Sequence, residues 1–524
     1  MFFIYKVFLS LVVILLKISL IISVPVDENF NYCEGLKAGL TFFKAQRAGV
    51  NEPESEFPWQ SNITTKFDTY KNGELDENGI GYLSRGYFDA GDYLKITNPL
   101  SFSMTALSWS FLEFKDNIEK CGLLEVYLSA IKTGVNWLIA AHPEPNIVYR
   151  QCGVVADHYK WERPYQIYVD QNGQPKPRDC TKQIIDVNNP SSDIVLEMVA
   201  TMSAASKVFE SIDPEYSNLC KKHALQLWDF GINHQGIPSY SEMYDSLDFQ
   251  DEIVWASAWL SFIDRSNENH YKTYYQGKCD KLKYSNSYWD YVYSWANKLS
   301  AACIFIEKNL NENQGVSNSI INYWNTKIPK TKDGIFFIDK WGNNRYSLGG
   351  CLLEAIWNNN NNNNNNDSIV KTNFSKKQIE IILGNNSNHY SYVSQFGFKS
   401  SKLPLNIHHR SSHNPINFDK FNPINNQYPI VGALLPGPTD LNDNYYEDRN
   451  NYEMNEPALD YNSVFVGVMA SLINEKSSSV KLSFPIYNEN NDPNSVLGFS
   501  FKLLIPLQLI ILNLISISII IFLM

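Results

Sequence analysis

No block of lysines and arginines occurs anywhere in the 524 residues, and the net charge is −11. Nucleic acid is thereby excluded as a partner, because neutralising phosphates takes clustered Lys and Arg. No Cys-x-x-Cys pair occurs either. The eight cysteines, at 33, 121, 152, 180, 220, 279, 303 and 351, are widely spread, which argues against a zinc centre. In an oxidising compartment some of them pair as disulfides, although spacing does not fix which. A series of alternating apolar and polar residues, the mark of half-buried strands, is missing too.

Aromatic residues are plentiful at 14%, and many lie in polar surroundings such as YYEDRNNY and KWERPY. Those are poor core sequences. They suit a groove that stacks on a flat, hydroxylated ligand. The first 24 residues are mostly apolar and read as a secretory signal peptide, with an uncleaved anchor as the alternative. Residues 503–524 form a second apolar stretch with no charge after Lys502. It reads as a lipid-anchor signal or a membrane anchor, joined to the rest by a polar linker over 477–502. Sequons at Asn62, Asn366, Asn373 and Asn385 fit a glycosylated surface. Together these features predict a secreted protein, acting as a monomer and held at the cell surface through its tail.

Apolar residues spaced by three and four predict six helices. Their stripes are Met104, Leu107, Phe111 and Phe114; Leu124, Leu128, Ile131, Val135 and Leu138; and Val195, Val199, Met202, Ala205 and Phe209. The others are Ile253, Ala256, Leu260 and Ile263; Trp289, Val292, Ala296, Leu299, Cys303 and Ile306; and Tyr461, Phe465, Val468 and Leu472. The chain therefore reads as all-α. Long polar connections over 144–190 and 385–455 are of the length that functional loops have. The asparagine run at 358–366 reads as a flexible surface insertion.

Three loops carry chemistry. In RGYFDAGDYLK, Asp89 and Asp92 flank an Ala-Gly pair, with Arg85 and Lys95 as the nearby basic residues. In NIHHRSSH, His408, His409 and Arg410 are positioned to hold sugar hydroxyls; three histidines up to His413 also raise a metal site, but adjacent histidines rarely point at one ion. In DNYYEDRNNYEMNE, Glu447, Asp448 and Arg449 precede Glu456, whose apolar neighbours Met454, Pro457 and Ala458 favour its protonated form. Glycoside hydrolysis needs one protonated and one ionised carboxyl group. These loops supply candidates for both.

Together the three loops resemble the family 9 glycoside hydrolases, the inverting cellulases. YFDAGDYLK resembles that family's Asp-Ala-Gly-Asp motif, LNIHHRSSHNP its His-x-Arg segment, and YYEDRNNYEMNEPALDYNS the motif that carries the acid. DHYKWERP, NPSSDIVLEMVATMSAASKVF, FQDEIVWASAWL and WGNNRYSLGG also match in kind and order. The resemblance implies one catalytic domain over 25–476, folded as an (α/α)6 barrel with a cleft at one end. It implies Asp92 as the general base, Asp89 as its helper, Glu456 as the general acid, and His408 and Glu447 as further members of the catalytic group. Arg410, His158, Trp161, Trp341 and Tyr461 would bind the β-1,4-glucan. No cofactor or catalytic metal is implied, and structural calcium is left open. Two departures stand out: Glu447 replaces the family's usual Asp, and the stretch from Gly397 to His408 is about three residues longer than usual. No carbohydrate-binding module is visible. An endo-β-1,4-glucanase is the leading expectation. The alternatives are a non-catalytic glucan-binding protein of the wall or matrix, and a related exo-acting or xyloglucan hydrolase.

Overall fold

The computed structural model of the chain describes residues 30–480, apart from 50–56, 58–67, 71–72, 76–79, 163, 165–171, 173–177, 182, 239–242, 360–372 and 414–419. Both apolar stretches, the sequons at Asn62 and Asn366 and most of the asparagine run lie outside the described residues.

The helices in chain order are α1 (Tyr32–Ala45), α2 (Thr97–Lys120), α3 (Leu124–Ala141), the short α4 (Val155–His158) and α5 (Ser192–Phe209). Next come α6 (Pro214–Asn233), α7 (Gln250–Ile263), α8 (Glu268–Tyr275), α9 (Leu299–Phe305) and α10 (Val316–Thr326). The last are α11 (Asn343–Asn359), α12 (Phe374–Ile382), the short α13 (Tyr452–Asn455) and α14 (Leu459–Ser471). Helices α2, α5, α7, α9, α11 and α14 each pack on the next, and α14 returns to α2, which closes an inner ring. Around it, α1 packs on α14, α3 on α2, α6 on α5, α8 on α7, α10 on α9 and α11, and α12 on α11. Two concentric rings of six helices make an (α/α)6 barrel.

Five of the six predicted stripes fall on α2, α3, α5, α7 and α14. The stripe from Trp289 to Ile306 does not form one helix. Ser294 and Asn297 exchange backbone hydrogen bonds at 2.9 and 3.2 Å, and the Lys298 amide donates to Asp251 Oδ2 at 2.6 Å. That turn delays the start of α9 to Leu299. The inner helices also bury more than their stripes. In α5 the polar Ser192, Asp193, Glu197, Thr201, Ser203 and Ser206 are buried alongside the apolar face. Thr105 donates to Glu197 at 2.8 Å, and Lys298 pairs with Glu252 at 2.5 Å. Burial raises the Glu197 carboxyl to about 7. A ring packed on both sides needs small residues at its crossings: a Cβ on Gly467 of α14 would sit 2.3 Å from Ser110 Oγ on α2.

The loops at the N-terminal ends of the inner helices are tied by six two-residue strands: β1 (Asp68–Thr69), β2 (Lys95–Ile96), β3 (Val148–Tyr149), β4 (Gln151–Cys152), β5 (Arg178–Asp179) and β6 (Ile184–Ile185). β1 runs parallel to β5, while β2–β4 and β3–β6 are antiparallel. A buried ionic group locks them. Asp68 accepts from Lys95 Nζ at 2.6 Å and from Arg178 Nε and Nη2 at 2.9 and 3.1 Å. Burial works against the Asp68 charge, but Arg178 and Lys95 outweigh it and hold the carboxyl at about 2. Lys95 thus turns away from Asp89 and Asp92. Disulfides Cys33–Cys121, Cys152–Cys180 and Cys279–Cys303 add covalent ties, and Cys220 and Cys351 are buried free thiols.

Residues 477–480, expected to belong to the linker, are part of the domain. Asn31 Nδ2 donates to the Ser478 carbonyl and hydroxyl at 3.2 Å each, and the Val480 amide donates to the Cys121 carbonyl at 3.1 Å.

Asp68→Asn is expected to cost about 3–5 kcal/mol at neutral pH, because it removes the carboxylate that two buried cations share. The folded carboxyl lies below its ordinary value of 3.8, so its contribution is full above about pH 4 and is lost as pH falls toward 2. Urea unfolding of both proteins should show their stability gap narrowing over that acid range.

Candidate active site

Gly91 explains the shape of the Asp-Ala-Gly-Asp loop. Its amide donates to Glu456 Oε1 at 3.1 Å, and its carbonyl accepts from the Arg410 amide at 2.8 Å. A Cβ there would lie 2.1 Å from the His408 carbonyl oxygen and 3.0 Å from Glu456 Oε1. Only glycine lets all three loops meet. Asp89 adds a second tie, because its carbonyl accepts from the Leu459 amide at the start of α14 at 2.9 Å.

The three carboxyl groups differ sharply. Asp92 accepts from His158 Nδ1 at 2.5 Å and from the Leu94 amide at 3.0 Å. Burial opposes its charge, yet the His158 hydrogen bond and the Arg410 guanidinium hold it below the usual carboxylate range. Among the described residues, Glu456 has only the Gly91 amide within hydrogen-bond distance, with Arg410 Nη1 at 3.7 Å and His408 Nε2 at 3.9 Å. Burial dominates there, Arg410 offsets part of it and Asp92 adds to it, so the carboxyl rises to about 7. Burial also lifts Asp89 well above the ordinary range, reinforced by Asp460, Asp92 and Glu456, although the Tyr244 hydroxyl donates to its Oδ2 at 2.6 Å. Near neutral pH one carboxyl is held ionised and a neighbour carries a proton.

The basic residues are arranged around them. His408 Nδ1 donates to the Arg449 carbonyl at 2.5 Å, and its Nε2 faces Arg410 Nη1 at 3.3 Å. Burial and the Arg410 charge push His408 down to about 3, so it is neutral. Arg410 donates to the His158 carbonyl and lies 5.0 Å over the Trp161 ring. That ring meets His408 edge-on at 5.1 Å. Arg345 pairs with Asp460 at 3.2 Å and lies over the Tyr461 ring at 5.2 Å.

Asp89, Asp92, His158, Trp161, Trp341, His408, Arg410, Glu456 and Tyr461 all line one open cavity of about 550 Å³. The sequence had grouped them although Asp89 and Tyr461 stand 372 positions apart. Two expectations need correction. Glu447 is outside this wall. Its carboxylate accepts from the Leu405 and Asn406 amides and from the Tyr390 hydroxyl at 2.9 Å. It braces the lengthened 397–408 segment and does not face the cavity. His409 also turns away, with Nε2 against Gln46 Oε1 at 2.8 Å. Among the described residues, no group of three His, Cys, Asp or Glu side chains is arranged to hold a metal ion.

Sequence reasoning missed Tyr244, Trp295, Arg345, Tyr159, Tyr452, Asn450 and Lys420, which share the same wall. Tyr244 has φ 58°, a left-handed backbone that costs an ordinary residue energy and is kept where function needs it. Its only sequence signal was its position in an aromatic, polar segment just before α7.

The family model described as Glycosyl hydrolase family 9 matches residues 32–469. The Endoglucanase of Dictyostelium discoideum is 33% identical over 486 residues, covering 89% of this chain and 64% of its own. Endoglucanase 19 of Arabidopsis thaliana is 30% identical, covering 85% of this chain and 75% of its own. Among solved structures, the endoglucanase of the termite Nasutitermes takasagoensis superposes with a TM-score of 0.71 at 31% identity, over 85% of this chain and 99% of that one. The cellulase CEL9M of C. cellulolyticum gives 0.73 at 27% identity, over 85% and 98%.

Gly91→Ala is expected to lower kcat by about 100-fold, the scale set by an ångström of misplacement between reacting groups. Far-UV circular dichroism should stay native. A variant with full activity would show that the contact at Gly91 does not set the site.

Proposed function

The chain belongs to glycosyl hydrolase family 9, and from that premise we propose that it is an endo-β-1,4-glucanase hydrolysing cellulose-like β-glucan with inversion. The observation that carries this reading is the divergence of two neighbouring carboxyls, Asp92 held low and Glu456 raised to about 7. In this reading Glu456 gives its proton to the glycosidic oxygen as the bond breaks. Asp92 takes a proton from the water that attacks the opposite face of the sugar. Asp89, steadied by the Tyr244 hydroxyl, orients that water. His158 fixes the Asp92 carboxylate, while Arg410 and neutral His408 bind sugar hydroxyls beside it. Trp161, Trp341 and Tyr461 offer ring faces to the sugar C–H surfaces. Inversion needs room for the water, so the two carboxyls should stand about 6.5–9.5 Å apart in the working enzyme.

Reducing-end release from carboxymethyl cellulose tests the reading. The native protein should be active, and Glu456→Gln should lose several orders of magnitude. The pH profile carries the same assignment. Rate needs Asp92 ionised and Glu456 protonated, so activity should persist at mildly acidic pH and fall as pH rises through about 7. Binding to glucan with no turnover by the native protein would instead favour the non-catalytic reading.

We further infer an extracellular location with attachment through residues 503–524. Three disulfides support an oxidising compartment, and Asn373 is an exposed sequon. If the tail is exchanged for a lipid anchor, a phospholipase specific for inositol lipids should release the active protein from membranes. Retention after that treatment, with release only by detergent, would identify a spanning anchor.

A further inference from the structure

The basic residues of the cleft are not equivalent. Arg345 is paired with Asp460 and Arg410 faces Glu456, while His158 is bonded to Asp92. Lys420 lines the same wall, beside Asn450 and Tyr452. No salt bridge among the described residues involves it. Its ammonium lies 5.2 Å from the Phe421 ring, and that ring is 59% exposed. The backbone beneath it is fixed, because Arg449 Nη1 donates to the Lys420 carbonyl at 2.8 Å. Lys420 lines the cavity that also holds Asp92 and Glu456.

A neutral glucan gives an ammonium nothing that an amide could not give. A flexible point charge with no fixed fork selects for negative charge more than for shape. The protein as a whole works the other way, since a net charge of −11 repels an acidic polymer. A positive group inside the cleft decides whether such a polymer can settle there. We propose that Lys420 is a specificity-determining residue that lets the cleft accept β-1,4-glucans bearing carboxylate substituents. The substituent would lie along the wall formed by Lys420, Asn450 and Tyr452. This rests on the glucanase reading.

The test compares kcat/KM on carboxymethyl cellulose and on hydroxyethyl cellulose of matched length and substitution. It uses the full chain, Lys420→Met and Lys420→Arg. The ratio of the two substrates cancels any general loss of folded enzyme. In Lys420→Met the ratio should fall about three- to ten-fold through KM on the anionic substrate, with both limbs of its pH profile in place. Lys420→Arg should restore the ratio. The advantage of the native protein over Lys420→Met should also shrink as salt rises from about 0.02 to 0.5 M, because both carry nearly the same overall repulsion and screening then acts on the Lys420 charge. A ratio unmoved in Lys420→Met, or moved equally in Lys420→Arg, overturns the proposal. Inactivity of the native protein on both polymers would instead remove the glucanase reading itself.

Discussion

The site depends on one backbone position. At Gly91 the amide and the carbonyl are both taken, by the Glu456 carboxyl and the Arg410 amide. Segments separated by more than 300 residues are thereby held at hydrogen-bond distance. The Arg410 bond is backbone to backbone, so no rotamer change relaxes it, and the Gly91 amide holds the Glu456 carboxyl itself in place. The proton donor, the sugar-binding arginine and the pair of aspartates keep their spacing as long as this crossing holds. The buried Asp68 group secures the crossing from behind by locking β1, β2 and β5 together.

Burial alone would raise every carboxyl in such a cavity. The useful feature is that the available positive partners are distributed unequally. Asp92 receives a close histidine and a backbone amide, and Glu456 sees the Arg410 cation only at 3.7 Å, with neutral His408 at 3.9 Å. Raised Asp89 adds no full negative charge beside them, which keeps repulsion from pushing Asp92 up as well. Neutral His408 completes the balance. An imidazolium at His408, next to Arg410, would draw the Glu456 proton off.

Much of this was legible in the sequence. Asp89, Asp92, Glu456, His408 and Arg410 were marked by carboxylates and bases set among aromatics in polar loops, and the helical stripes placed five of the six elements. The failures have physical causes. The Trp289–Ile306 stripe keeps its apolar period through a turn, because Val292 stays buried while side-chain and backbone bonds at Ser294, Asn297 and Asp251 override helical continuation. Glu447 has the right chemistry for a catalytic role but the wrong direction. Periodicity says nothing about which way a loop carboxylate points. Tyr244 was invisible for the opposite reason: a tyrosine in a polar loop carries no signal until the fold brings Asp89 to its hydroxyl. Polar residues buried between the inner helices escaped because a stripe describes one face of a helix, and an inner helix has two buried faces.

The ring also constrains the chemistry at its mouth. Asp92 lies just before α2, Tyr244 before α7, Trp295 before α9, Trp341 before α11 and Glu456 before α14. The cavity is therefore walled by helix N-termini, whose dipoles favour negative charge. That field suits an ionised Asp92 and opposes a protonated Glu456. A general acid can exist at such a mouth only if burial outweighs both the dipole and Arg410. The apolar setting of Glu456, with buried Met454 and Ala458 on either side, is what provides that margin. Opening this corner to water would lower its pKa and remove the acid while every catalytic side chain stayed in place.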